Sequence, residues 1–365
     1  MTVDEATTIE LLERHVVDVL LSPSAQAQYR AGDVSHSELR PFIAEIARLS
    51  RAYLSHSIGT SLTEPTDTEL SAEAYALYYL TINAAKVMYL APLLTSQTQR
   101  LRVLDFGCGP GTASLALLAS LQRPLDITCV ESSSSMRRVA TKLLSSWSHN
   151  GARPDVAFAP AIPSKSQGQF DVVIAANSLA ELSEAQAEEL LRALAALVSP
   201  SGFLMLIEPG QQPHTRRLMR LRNQLAAELT PVFPCLRNDP CPMLESSQTD
   251  WCHGTLSWNQ PKLSRQFDSL LGFNKHRIKF SAFMFQRGAP LKEGVRVIIP
   301  AEKQPRGVEL TVCSAQFYGV VRIRKGDRSA QNRPLEKAAV FERLSVSEPL
   351  QAELSPNITA TVLSR

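Results

Sequence analysis

Val103-Leu104-Asp105-Phe106-Gly107-Cys108-Gly109-Pro110-Gly111-Thr112 is the stretch that decides the fold. It opens apolar, carries glycine at 107, 109 and 111, and runs into a small-residue helical segment, Ala113–Leu121. A glycine pattern reads as a ligand loop only where it closes a strand and opens a helix, and that is the context here. Gly107 and Gly109 let the backbone turn tightly and approach a ligand with no Cβ in the way, and Gly111 lets the next helix pack closely. Asp105, at the strand end, is placed to hold the amino group of a bound amino-acid moiety, directly or through water. Glu131 ends the next strand, where it can accept hydrogen bonds from ribose hydroxyls. The spacing is not the Gly-x-Gly-x-x-Gly of dinucleotide folds, which argues against NAD.

Outward from this loop, strand and helix alternate. Apolar residues at Ile9, Leu11, Leu12, Val16, Val17, Leu20, Phe42, Ile43, Ile46, Leu49 and Leu54 predict helices across residues 7–60. Residues 61–70 read as a polar linker, and Ala72–Leu94 as a further helix. Downstream, strands are expected at 126–130, 154–158, 170–175 and 202–207, with helices at 113–121, 135–146 and 184–198. This order predicts an α/β fold with a parallel, doubly wound sheet. A helix at 214–229 then leads into a cysteine-bearing segment, 231–258. A mostly irregular or helical connector at 259–278 and a strand at Lys279–Arg287 follow. Short strands at 295–299, 307–313, 319–324 and 338–344 predict a small β-rich module. The expected organisation is an N-terminal helical region (1–95), a nucleotide-type domain (96–290) with the insertion 231–258, and a basic C-terminal module (291–365).

The glycine loop closely resembles motif I of class I S-adenosylmethionine-dependent methyltransferases. That resemblance implies S-adenosylmethionine bound by Asp105, Gly107, Gly109, Gly111 and Glu131. Asn177, after the strand 170–175, falls where many such enzymes place substrate-contacting groups, though a turn residue is an equal reading. No Asn-Pro-Pro-Tyr run and no cysteine of the RNA-cytosine type stands there. Methyl transfer depends mainly on positioning, so the missing motifs do not exclude it.

Thirty-eight Lys and Arg against 35 Asp and Glu leave a net charge of +3, too small by itself to specify a polyanionic partner. The basic residues gather late, from Lys262 to Lys279 and again at Lys303, Arg306, Arg322, Arg324, Lys325, Arg328 and Arg333. Such a flank suits a phosphate backbone, although a solvated face is the commoner reason for one. No stretch is apolar and long enough to cross a bilayer. The acidic start, Met1-Thr2-Val3-Asp4-Glu5, lacks secretory and transit character, which points to a bacterial cytoplasm, with the mitochondrial matrix as the alternative.

Six cysteines in a chain of this size do not form a disulfide framework. Cys108 and Cys129 lie inside the nucleotide fold and read as packing residues. Cys235, Cys241 and Cys252 have the form C-x5-C-x10-C, with prolines at 234, 240 and 242, and Cys313 is the candidate fourth ligand. Zinc would accept four thiolates, or three with His253. Iron–sulfur clusters tolerate broader spacing, and spacing alone leaves both metals open.

Ile207-Glu208-Pro209-Gly210, Pro234-Cys235, Cys241-Pro242, Asp250-Trp251-Cys252-His253, Leu271-Gly272-Phe273 and Lys279-Phe280-Ser281 together resemble the methyltransferase-like small-ribosomal-subunit assembly factors of mitochondria and bacteria. The resemblance covers roughly residues 75–325. It implies a factor that binds between the head and body of the maturing subunit, contacts its rRNA, and holds a [4Fe–4S] cluster on Cys235, Cys241, Cys252 and Cys313. Gly254, Asn274–Arg277 and Ala282 depart from the family pattern. Three functional readings are expected to compete: an assembly factor, an active S-adenosylmethionine-dependent methyltransferase acting on rRNA or another substrate, and an iron–sulfur sensor controlling translation.

Overall fold

The computed structural model describes residues 3–55, 58–59, 68–95, 99–148, 153–352, 354 and 357–364. Most of the expected polar linker at 61–70 lies outside them. The chain begins α1 (Val3–Leu20), α2 (Pro23–Ala31), α3 (His36–Ser55), α4 (Glu69–Leu90), β1 (Leu101–Phe106), α5 (Thr112–Leu121) and β2 (Leu125–Val130). Next come α6 (Ser134–Ser146), β3 (Asp155–Ala159), β4 (Phe170–Ala176), α7 (Glu184–Ala196), β5 (Val198–Pro209), α8 (Gln212–Leu225) and β6 (Thr230–Phe233). The remainder is α9 (Pro242–Ser246), β7 (Gly254–Ser257), α10 (Lys262–Leu271), β8 (Arg277–Gln286), β9 (Val295–Gln304), β10 (Gly307–Ser314), β11 (Tyr318–Arg324), α11 (Arg333–Lys337), β12 (Arg343–Val346) and β13 (Ala360–Ser364). It packs as two units, Met1–Ile207 with Leu256–Ile278, and Glu208–Thr255 with Lys279–Arg365.

In the first unit the strands run parallel in the order β3-β2-β1-β4-β5. From β1 the chain winds one way through β2 and β3, then returns to β4 on the other side of β1. A crevice therefore opens at the carboxyl ends of β1 and β4, where doubly wound folds bind ligands. This is the class I methyltransferase arrangement expected from the sequence. The helices start where short polar side chains can accept the first amides. Thr68 accepts from Ser71, Ser133 from Met136, and Ser183 forms a capping box with Gln186. α4 is apolar nearly all round and is buried along most of its length, packed by α1, α3, α5, α6 and α10.

The expected connector 259–278 holds a helix, α10, whose preceding Pro261 offers no side-chain cap. A distant carboxylate takes that role: Glu13 accepts from the amides of Leu263 (2.9 Å) and Ser264 (2.8 Å) and from the Tyr29 hydroxyl (2.9 Å). Burial pushes the Glu13 carboxyl up from its ordinary range, against these hydrogen bonds.

In the second unit β6 and β8 pair antiparallel, and a five-stranded antiparallel sheet has the order β11-β10-β9-β12-β13. Strand alternation sends Val308, Leu310 and Val312 of β10 into a core with Val297, Val321, Ile323, Leu335 and Leu344. Glu309, Thr311 and Cys313 consequently occupy the other face. The expected strand at 338–344 begins only at Arg343. Phe341 has φ +65°, so the chain turns there, and its ring packs edge-on against Phe233 and Phe280. That ring also explains the family departure at Gly254, where an added Cβ would lie 2.5 Å from Phe341.

Candidate functional site

The glycine loop in the first unit is held by the end of the neighbouring strand. The Gly107 amide donates to the Val130 carbonyl (2.8 Å) and the Gly109 amide to Glu131 Oε2 (2.8 Å). Glu131 Oε1 takes the Ser133 amide (2.8 Å), so this carboxylate braces the loop and the start of α6 together. Oε1 also accepts from the Ser132 hydroxyl (3.4 Å), while Oε2 keeps a second lone pair suited to a ligand hydroxyl. Gly111 lies beneath Leu144, 3.1 Å from an added Cβ, consistent with close packing of the following helix.

Asp105 is buried beneath the loop, where Oδ2 accepts from the Ser114 amide (3.1 Å) and hydroxyl (2.6 Å). Desolvation pushes its carboxyl up to about 6, with the Ser114 bonds opposing and Glu131 adding to the rise. Asn177 closes β4 with φ +54°, a conformation asparagine tolerates better than most residues, and its amide donates to Ile207 (2.8 Å). Buried Lys86 on α4 donates to the side-chain oxygens of Asn83 (2.8 Å) and Asn177 (3.4 Å). Ser178 stands over Gly107 with its hydroxyl unpartnered among the described residues. Asp105, the three glycines, Glu131 and Asn177 therefore lie at the carboxyl ends of β1, β2 and β4. Lys86, Ser114 and Ser178 join them without any motif having marked them.

The second unit brings Cys235, Cys241, Cys252 and Cys313 around a single cavity of about 420 Å³, counting the solvent at its mouth. Each cysteine is held by a separate contact. Arg296 Nε donates to the Pro234 carbonyl (2.9 Å), just before Cys235. Asn223 Oδ1 takes the Cys241 amide (2.9 Å). The Cys252 amide meets the Met219 thioether (3.4 Å), and the Cys252 carbonyl accepts from the Ser281 hydroxyl (3.0 Å). Cys313 sits on β10 opposite Arg296 and Tyr318. Cys108 and Cys129 are buried within the first unit, apart from this set.

Burial raises the thiols of Cys241 and Cys252 above their ordinary range and pushes Cys313 up to about 12, and mutual repulsion among the four adds to it. The Arg222 guanidinium opposes the shift at all three. Among the described residues, no three His, Cys, Asp or Glu side chains lie close enough to hold a metal ion. The cysteines thus share a cavity without closing on a point, whereas zinc with Zn–S bonds of about 2.3 Å needs its four sulfurs within about 4 Å of one another. The donor set is four thiols with Arg222 and Arg237 beside it, donors that an iron–sulfur cluster can take. His253 stacks on Trp251 (5.0 Å between centroids, 19° between planes), and Nδ1 lies 3.1 Å from the Trp251 carbonyl. It does not line the cavity.

The late basic residues are mostly exposed. Lys262 lies over the Tyr29 ring (4.5 Å) and donates to its carbonyl, Arg322 pairs with Glu309, and Arg328 pairs with Glu336. Lys303, Arg306, Arg324 and Lys325 are exposed.

No helix among the described residues is long and apolar enough to cross a membrane. A human mitochondrial ribosome assembly protein, METTL17, is 30% identical over 231 residues, 58% of this chain and 47% of that protein, so the chain spans about half its relative's length. Among solved structures, magnesium protoporphyrin IX methyltransferase from Synechocystis PCC 6803 is 14% identical with a TM-score of 0.36, covering 57% of this chain and 84% of its own. The plantazolicin methyltransferase BpumL is 13% identical with a TM-score of 0.36, covering 77% and 97%. The family described as mitochondrial small ribosomal subunit Rsm22 matches residues 70–326, a span that includes the glycine loop, all four cavity cysteines and the first strands of the β-rich module. The match takes in well over half of the chain, which belongs to the Rsm22 family.

Proposed function

We propose that this protein is an assembly factor of the small ribosomal subunit. On this reading it binds rRNA between head and body, carries a [4Fe–4S] cluster on Cys235, Cys241, Cys252 and Cys313, and holds S-adenosylmethionine at Asp105, Gly107, Gly109, Gly111, Glu131 and Asn177. The observation that carries it is the meeting of four cysteines from three separate parts of the chain at one cavity. Their spread supports a cluster over a single zinc ion. The exposed Lys303, Arg306, Arg324 and Lys325 supply phosphate contacts. Such a factor would work in a bacterial cytoplasm or a mitochondrial matrix, and the human relative is mitochondrial.

Anaerobic purification with iron, sulfide and zinc analysis tests the cluster. Iron and sulfide with broad visible absorption support it, and zinc alone would remove it. Co-sedimentation with immature small subunits over a salt series tests the partner. Replacing the four exposed cations should flatten the dependence of log K on log salt by about 0.7–0.9 per lost phosphate contact. An unchanged slope would reject them as the contact surface.

A second reading, active methyl transfer, is favoured by the intact loop: a Cβ at Gly109 would meet no atom within 4 Å, so the approach is open. Labelled methyl transfer to assembling rRNA, abolished by Asp105→Ala, would establish it. No transfer from bound S-adenosylmethionine would leave the fold as a scaffold.

A further inference from the structure

Two arginines line the cysteine cavity, and each keeps a buried Nε–H that meets no acceptor among the described residues. Arg222, on α8, is completely buried. Its Nη1 donates to the carbonyls of Asp239 (2.5 Å) and Asn238 (3.4 Å), and its Nη2 to that of Arg237. These bonds fix the guanidinium plane and tie down the turn between Cys235 and Cys241. Arg237 belongs to that turn, and its Nη2 lies 3.3 Å from the Asp239 carboxylate. A buried charged donor with nothing to meet costs stability, so an acceptor brought to these two Nε–H groups would offset that cost. The rest of the lining is thiols, the Tyr318 side chain and the apolar Pro234, Pro242, Met243, Phe283 and Ile298. Arg222 acts electrostatically on Cys241, Cys252 and Cys313, and Arg237 on Cys313, so the pair favours an anionic occupant.

We propose that Arg222 and Arg237 donate N–H···S hydrogen bonds to the cluster and its thiolates and so stabilise its reduced form. The inference rests on the cluster reading above. Reduction adds one electron to an already anionic group, so a fixed cation and an N–H donor favour the reduced state over the oxidised one. Hydrogen bonds to sulfur and burial are the levers by which proteins set such potentials.

The test uses the full chain, purified anaerobically, with iron and sulfide counted before a dithionite titration followed by electron paramagnetic resonance. Arg237→Gln should keep its iron and sulfide and show a lower midpoint, by about 59 mV for a tenfold change in a one-electron couple. Arg237→Lys, which keeps the charge but not the planar fork, should fall by less. It also serves as the readout if Arg237→Gln loses the cluster. In the unsubstituted protein, isotopically labelled arginine nitrogen should couple to the spin of the reduced cluster, a signal that a purely structural arginine would not give. A full cluster with an unchanged midpoint and no nitrogen coupling overturns the inference and leaves the cluster standing. Zinc in place of iron and sulfide overturns both.

Discussion

Gly107→Ala is the sharpest probe of the cofactor loop, because two separate costs can be read from the structure. Gly107 has φ +65°, and a left-handed L-residue costs about 1–2 kcal/mol. Its added Cβ would also lie 2.5 Å from Ser178 Cβ, and overpacking of this kind costs about 1–3 kcal/mol. The sum is about 2–5 kcal/mol of folding stability. Gly109→Ala is the internal control: φ is +54°, but the Cβ meets nothing within 4 Å, so only the conformational cost applies. Urea denaturation should therefore rank Gly107→Ala below Gly109→Ala by about 1–3 kcal/mol. Adding Ser178→Gly should recover most of that difference, since it removes the clashing atom and leaves the backbone cost. Calorimetry with S-adenosylmethionine should show a different balance, because the open space beside Gly109 is where a ligand would approach. Gly109→Ala should lose affinity out of proportion to its small loss of stability. Equal destabilisation by the two alanines, or no recovery with Ser178→Gly, would refute the packing argument.

Asp105 predicts a pH dependence. Its carboxyl stands at about 6 rather than near 4, so an ammonium group on the ligand must draw it into the charged form. Affinity for S-adenosylmethionine should be level above pH 7 and fall towards tenfold per unit below about 6. Asp105→Asn should flatten that profile, and a flat wild-type curve between pH 5 and 7 would exclude the contact. Without ligand the sign reverses: the folded state holds the proton more tightly, so stability from this group is lost as pH rises from about 4 to 6, by about 3 kcal/mol. Serine at Cys235, Cys241, Cys252 or Cys313 should each strip iron and sulfide, whereas Cys108→Ser and Cys129→Ser should retain them. Full metal content in any of the first four would remove that residue from the ligand set. Glu13→Ala should cost about 2–4 kcal/mol in urea denaturation by leaving the Leu263 and Ser264 amides buried without acceptors, with Glu13→Gln keeping part of it. A change under about 0.5 kcal/mol would show that the carboxylate does not cap α10.

Local pattern carried much of this. The core strands of the first unit announce themselves by short apolar runs and its helices by apolar periodicity, so β1, β2, β4 and α5–α7 lie within a few residues of their expected places. The glycine loop was legible for the same reason, since its chemistry is written in consecutive residues. The misplaced strand at 338–344 shows the limit. Phe341 leaves the strand conformation to seat its ring against Phe233 and Phe280, neighbours that no local window contains. Likewise α10 is capped by Glu13, from the first helix of the chain.

The cysteines divide along the same line. The sequence by itself set the cysteines of one proline-bearing segment apart from Cys108 and Cys129 on core elements. It also determined a parallel sheet with a ligand loop, because strand period, helix period and turn glycines are local properties of the backbone. Only the tertiary structure decided that Cys313, on a distant antiparallel strand, faces the same cavity as Cys235, Cys241 and Cys252. It alone set Arg222 and Arg237 beside them, Lys86 beside Asn177, and Ser178 over Gly107. The physical reason is that a charge or thiol acts through distance and burial, and the folded chain fixes both between residues that are remote from one another in sequence.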